Sequence, residues 1–423
     1  MLFINFNLTR VALRLVAVGA LSVAGVGEAL ALPSFARQTG ESCDSCHVGA
    51  YGPQLTPHGM KFKIGGYTES DGKDGHVPLA AMVVGTFTQT KKAQIPAPNH
   101  FDENNNTVMQ ELSGFLGGKL YKNVGAFAQA TYSGVEEKTA LDNVDLRYAT
   151  ETTLLGQQGI FGVSLNNSPT VQDPFNTLPA WRFPYVSSDA APAMEGETLF
   201  DTLAGTVGGA TAYAFLSNGF YAEIGDYQSP WHSAMKKVNI DAEKKITGAA
   251  PYGRVAYFQD VRRYSYSAGI VGISASLRDF GATGPSDKYS DFGVDGHYQF
   301  LGTRKHIYSV NGSYIRESRT LDTAEPAMSQ KLNALNLTGS YYFDKTYGAT
   351  VHYFNTSSDE SDLESSGVTM QADWTPFGKE ASWHAPWANV RVGLQYTMYN
   401  KLNGDSDNAS DSNTLVGFVW ASL

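Results

Sequence analysis

The sequence predicts an all-β fold, a transmembrane antiparallel β-barrel of about sixteen strands preceded by a short N-terminal segment that is not part of the wall. Three observations predict it. From Val77 onward, apolar and polar residues alternate in segments separated by polar loops. Short turns and long loops follow one another between these segments, as in barrels with tight turns on one side of a membrane and longer loops on the other. The composition, 43 Gly, 23 Tyr, 22 Phe and 6 Trp with only 17% charged residues, suits many strands ringed by interfacial aromatics.

The chain opens on an export signal. Arg10 and Arg14 give a positive start, Leu15 to Val26 an apolar stretch, and Ala29-Leu30-Ala31 a small-residue cleavage site, so 1–31 reads as a signal peptide. The stretch is short for a membrane anchor, and Glu28 interrupts its end. After residue 31, no stretch approaches the roughly 20 apolar residues of a spanning helix.

Residues 32–77 come next. They hold Cys43-Asp44-Ser45-Cys46-His47, a C-x-x-C-H motif containing the only two cysteines in the chain. In such a motif each thiol forms a thioether to one haem vinyl group, and the histidine ligates the iron from the proximal side. A zinc site would need further Cys or His at ligand spacing. A redox dithiol has no need of the histidine. Downstream of an export signal, the motif predicts one covalent haem c on Cys43 and Cys46, with His47 on the iron. The segment is too short to wrap a haem in its own core, so it is expected inside the barrel as a plug. Two residues of the segment are candidates for the distal position, with an open site or a barrel residue as the alternative. His58 and Met60 lie eleven and thirteen residues beyond His47. Methionine opposite histidine raises the haem potential relative to two histidines; His58 is the stronger donor.

Residues 78–423 make the barrel. Strands are expected near 78–90, 107–120, 124–134, 141–150, 157–166, 205–216, 219–226 and 251–259, then 264–277, 289–300, 304–316, 330–343, 346–355, 366–375, 387–400 and 413–423. The clearest is the last but one, where Val390, Val392, Leu394, Tyr396 and Met398 alternate with Arg391, Gly393, Gln395, Thr397 and Tyr399. Both chain ends in the periplasm require an even number. The connection at 376–386 is long for a periplasmic turn. The longest outer loop, the third, spans about 167–204; its prolines and aromatics predict a packed loop folded into the pore. Acidic groups sit in three outer loops: Asp102 and Glu103; Asp359, Glu360, Asp362 and Glu364; Asp405, Asp407 and Asp411. They read first as solvated loops or as bridges to lipopolysaccharide, with attraction of Fe²⁺ as the functional alternative. A net charge of −10 argues against nucleic acid as a partner.

Pro33-Ser34-Phe35-Ala36-Arg37-Gln38-Thr39-Gly40, the Cys43–His47 motif, Leu55-Thr56-Pro57 and Phe62-Lys63-Ile64-Gly65-Gly66-Tyr67 resemble the fused outer-membrane monohaem cytochrome c–porins, which include iron(II)-oxidising members. The resemblance extends to Asn167–Asp173, Pro179-Ala180-Trp181, Val392–Thr397 and Asn413-Thr414-Leu415. Two departures stand out: His58-Gly59-Met60 replaces an aromatic-Gly-Arg, and the chain ends in Leu423, with Trp420 as a stand-in for a terminal aromatic. The resemblance implies a protein in the lipid of the outer membrane of a Gram-negative bacterium. It implies electron passage through the haem, from extracellular Fe(II) or another donor to a periplasmic soluble cytochrome, with iron(II) oxidation as the reaction if iron is the donor. The alternatives are a solute-conducting porin whose haem is a sensor or plug, and outward electron transfer to an extracellular acceptor.

Overall fold

The structure is a computed structural model that describes residues 33–73, 75–154, 156–230, 232–240, 242–324, 326–379 and 388–423. The expected signal peptide, 1–31, lies outside the described residues. The wall is a closed antiparallel sheet. Its strands are β1 (Leu79–Thr90), β2 (Asn106–Tyr121), β3 (Val124–Ser133), β4 (Lys138–Leu154), β5 (Gln157–Asn166), β6 (Gly208–Leu216), β7 (Phe220–Gln228), β8 (Lys244–Ile246) and β9 (Ala250–Val261). They continue as β10 (Tyr264–Asp279), β11 (Asp287–Phe300), β12 (His306–Leu321), β13 (Met328–Phe343), β14 (Tyr347–Ser358), β15 (Ser365–Trp374), β16 (Asn389–Lys401) and β17 (Thr414–Ser422). Pairing of β1 with both β2 and β17 closes the ring. The three-residue β8 pairs with the end of β10 beyond β9 and extends the line of β9. The barrel therefore has sixteen crossings, the number the loop pattern predicts.

Alternation places the side chains, because successive residues of a strand face opposite sides of the sheet. The face buried in this wall is the polar one. Arg147, Arg254 and Arg391 are fully buried, while Ile224, Phe292 and Val351 are 71%, 56% and 53% exposed. A soluble sandwich would have the reverse. An apolar outside and a charged inside is the pattern of a wall solvated by lipid. Tyr264, Tyr298, Tyr308, Tyr347 and Trp374 stand exposed at the short-turn ends of their strands, where an interfacial girdle belongs.

Short turns join β2 to β3, β6 to β7, β9 to β10, β11 to β12 and β13 to β14. The long connection after β15 has a reason. The Gly378 carbonyl accepts from the Asp44 amide at 3.1 Å, so this connection closes over the N-terminal segment. Residues 380–387 of it lie outside the described residues.

The third outer loop runs from Asn167 to Val207 and folds inward. Its Thr198 and Asp201 form a capping box on the one-turn helix Leu199–Thr202, which delays the next strand to Gly208 instead of 205. The loop touches the wall on several sides. Ser188 bonds Thr88 of β1 at 2.6 Å, the Phe183 ring lies 5.4 Å from His352 of β14, and Asp173 pairs with Arg254 of β9 at 3.2 Å. It therefore crosses the lumen.

Three short helices of the N-terminal segment also lie in the lumen: α1 (Pro33–Thr39), α2 (Cys43–Cys46) and α3 (Pro57–Ile64). Wall residues hold them through the backbone. Asn389 donates to the Ala50 carbonyl (2.8 Å), Gln299 to that of Leu55 (2.7 Å) and Arg147 to that of Lys63 (3.1 Å), while the Tyr213 hydroxyl donates to the Ile64 carbonyl (2.7 Å). Many of these contacts come from strand ends beside short turns, so the segment sits at that end of the barrel. Trp420 faces inward and packs on Tyr51, ring centroids 4.6 Å apart, so it is a plug contact in place of an outward terminal aromatic.

Candidate functional site

The motif helix sets the site. Cys43 and Cys46 are one turn apart, so both thiols share a face of α2. His47 then leaves the helix in extended conformation (φ −116°, ψ 135°) and bridges to Leu55, which turns the chain back into α3. Thr56 caps α3 by accepting from the Gly59 amide, with Pro57 at the first helical position, and its hydroxyl donates to the Ser45 carbonyl. Gly59 is required here. A Cβ on it would run into the Cys46 carbonyl, so only glycine lets α3 pack on α2.

Cys43, Cys46 and His47 all line one cavity of about 410 Å³, between the plug, the wall and the third outer loop. This is within the size range of ligand pockets. Phe35, Phe62 and Tyr67 form one aromatic side, with ring centroids 5.0 to 5.9 Å apart. The third outer loop contributes Trp181 and Tyr185, and the wall contributes Met82, Phe115 and Trp420. Burial holds the His47 imidazole neutral, its pKa lowered to about 4. Its Nδ1 is buried without a hydrogen-bond partner. Burial also pushes the Cys43 thiol up to about 11 and that of Cys46 up to about 12, and the two are not joined to each other. A buried imidazole next to two unpaired thiols on one face of a helix suits thioether attachment of a haem with the histidine on its iron.

The two distal candidates lie elsewhere. Met60 is buried in an apolar cluster with Leu55, Ile64, Phe175, Tyr213 and Tyr221 and does not line the cavity. His58 is also absent from the lining; its Nε2 lies 3.1 Å from Glu41 and 3.8 Å from Glu69. Donor atoms of Glu41, Cys46 and His58 come within 4.8 Å of one another, a three-ligand grouping that omits Cys43 and His47. The helical turn of α3 aims Met60 at the wall, whereas His58 stays beside Cys46 at the edge of the cavity.

Sequence reasoning did not find the charges that tie the third outer loop and plug to the barrel. The Lys63 ammonium donates to the Val171 carbonyl (2.7 Å) and to Asn176 (2.9 Å) and lies 4.3 Å over the Trp181 ring. Arg147 links the Lys63 and Gln172 carbonyls to Asp145. Arg254 Nη2 is 2.7 Å from Asp295 and 3.2 Å from Asp173. Inward parity of these residues on their strands was a usable signal, but their partners come from loops distant in sequence. Several acidic groups of the outer loops are engaged locally. Asp411 pairs with Lys92 (2.6 Å), Glu364 with Lys401 (2.7 Å), and Asp405 accepts from the amides of Asp407 and Asn408. They structure their loops.

No family model matches the chain, and no curated protein does. Among solved structures it is similar to an anion-selective porin from Comamonas acidovorans (TM-score 0.49, 11% identity, covering 81% of this chain and 98% of that one). It is also similar to Pseudomonas putida OprB (0.48, 10%, 82% and 94%) and to Salmonella typhi OmpF in complex with daunomycin (0.46, 12%, 82% and 97%). These likenesses concern the barrel. By its closed, sixteen-crossing wall with a lipid-facing exterior, the chain is an outer-membrane β-barrel of porin-like fold with a helical segment in its lumen.

Proposed function

We propose that this protein carries electrons across the outer membrane through one haem c attached at Cys43 and Cys46 and ligated by His47, from extracellular Fe(II) to a soluble periplasmic cytochrome. The observation that carries the reading is that the chain's only two thiols and a neutral, buried imidazole line the same cavity. Bound there, the haem supplies a one-electron centre. The protein's own part is to hold, shield and place it. Cys43 and Cys46 anchor it, His47 presents an unprotonated nitrogen, and Phe35, Phe62, Tyr67 and Trp181 keep water from the site.

Placement supports electron exchange with a periplasmic partner. Outer-membrane barrels carry their short turns on the periplasmic side. The cavity runs from the short-turn end, where Met82, Asn389 and Ser422 line it, to Glu111, Asp142 and Asn143 further along the wall, beneath the third outer loop. Solute passage as the main role fits the lumen less well. Inward Arg147, Gln299, Asn389 and Arg391, which could line an open pore, instead bond the backbone of the plug.

Anaerobic stopped-flow mixing of the oxidised purified protein with Fe(II) tests the reading. The Soret band should move to that of the reduced haem, with one electron taken per protein. A haem that dithionite reduces but excess Fe(II) does not would remove iron as the donor.

A further inference from the structure

We infer that Met82, on the barrel wall and outside the plug, is the second protein ligand of the haem iron. The inference rests on the haem reading above. Among the described residues that line the cavity, His47 is the one imidazole and Met82 the one thioether. Lys63 also lines it, but its ammonium is already bonded to Val171 and Asn176.

Strand register puts Met82 at the motif. Asn389 faces Ser422 across β16 and β17, and Ser422 faces Met82 across β17 and β1. Residues directly opposite in register share a face, so the three form one inward row, and all three line the cavity. The Asn389 side chain is a hydrogen-bond neighbour of the Cys43 thiol. Neighbouring strands are about 4.8 Å apart, which puts Met82 roughly 10 Å along the wall from Asn389, measured between backbones. A side chain reaching inward from there enters the same cavity that Cys43, Cys46 and His47 line.

The chemistry also fits. A thioether is an uncharged soft ligand, and the cluster around Met82, with Phe115, Phe127 and Phe418, is apolar. Water is a poor competitor in such a wall. Histidine–methionine ligation places the haem at a higher potential than two histidines would, which favours accepting an electron from Fe(II). A wall ligand further means that the iron is six-coordinate only when the plug is seated in the barrel.

The test compares Met82→Leu, Met82→His and Met60→Leu as full-length haem-loaded proteins. Readouts are haem stain on a denaturing gel, the spectrum of the oxidised protein and the midpoint potential. All three variants should keep the stain, because both thioethers remain. Met82→Leu should lose the weak near-infrared band of a thioether on ferric iron and show a lowered potential. Met82→His should give a low-spin, two-imidazole spectrum at a lower potential, showing that the site accepts a ligand from this position. Met60→Leu should change neither. A native spectrum and potential in Met82→Leu, or loss of the band in Met60→Leu alone, overturns the assignment. Absence of covalent haem from the parent protein would instead defeat the haem reading itself.

Discussion

Replacing Cys43 and Cys46 together by alanine should abolish the covalent haem proposed at the motif and leave the barrel assembled. No other thiol exists in the chain, so no second attachment route is available. The barrel should survive because neither cysteine belongs to the wall: both lie on α2, and the wall still holds the plug at the Ala50, Leu55 and Ile64 carbonyls. The check is peroxidase staining of a denaturing gel, together with the heat-shifted mobility of a folded barrel. Staining that persists in the double variant would refute attachment at the motif. The same variant separates the haem from a metal on Glu41, Cys46 and His58, since metal bound there would be lost without any covalent chromophore having been present.

Arg254→Leu should destabilise the folded barrel by about 3–5 kcal/mol, the cost of breaking a buried ion pair by removing one partner. Asp173 and Asp295 would both stay buried beside an apolar side chain. Asp173 belongs to the third outer loop, where its carboxylate also accepts from the amides of Phe175, Thr177 and Leu178, so its loss of a counter-charge loosens the loop's turn. A lower temperature for the heat-induced mobility shift, with a rise in single-channel conductance, is the expected result. Adding Asp173→Asn and Asp295→Asn to Arg254→Leu should recover much of the loss, because neutral amides tolerate an apolar neighbour. An unchanged transition in the single variant would mean that these charges are solvated and that the loop is held by packing alone.

The barrel was legible in the sequence because a strand has a period of two. Val390 to Met398 alternating with Arg391 to Tyr399 is enough to assign two faces, and short turns such as Ser217-Asn218-Gly219 fix the spacing. Haem-ligand candidates were legible where covalent chemistry dictates spacing, at Cys43, Cys46 and His47. Tertiary placement was not. Proximity in sequence favoured His58 and Met60, yet Met60 sits on the face of α3 that meets Phe175 and Tyr221. Met82 lies four residues into β1 with inward parity, and that parity becomes informative only once the row through Ser422 and Asn389 is known. Likewise Arg254 is visible as an inward charge, but Asp173 joins it by way of a loop that crosses the lumen.

Electron passage across the bilayer is tested most directly in sealed vesicles. The protein is inserted with its short-turn end inward, a soluble c-type cytochrome is enclosed in its oxidised form, and Fe(II) is added outside under anaerobic conditions. Reduction of the enclosed cytochrome by vesicles carrying the parent protein, and none by vesicles carrying the Cys43→Ala, Cys46→Ala variant, is the expected result. Equal reduction with both proteins, which would mean that Fe(II) itself enters through the pore, or no reduction with either, would contradict transfer through the haem.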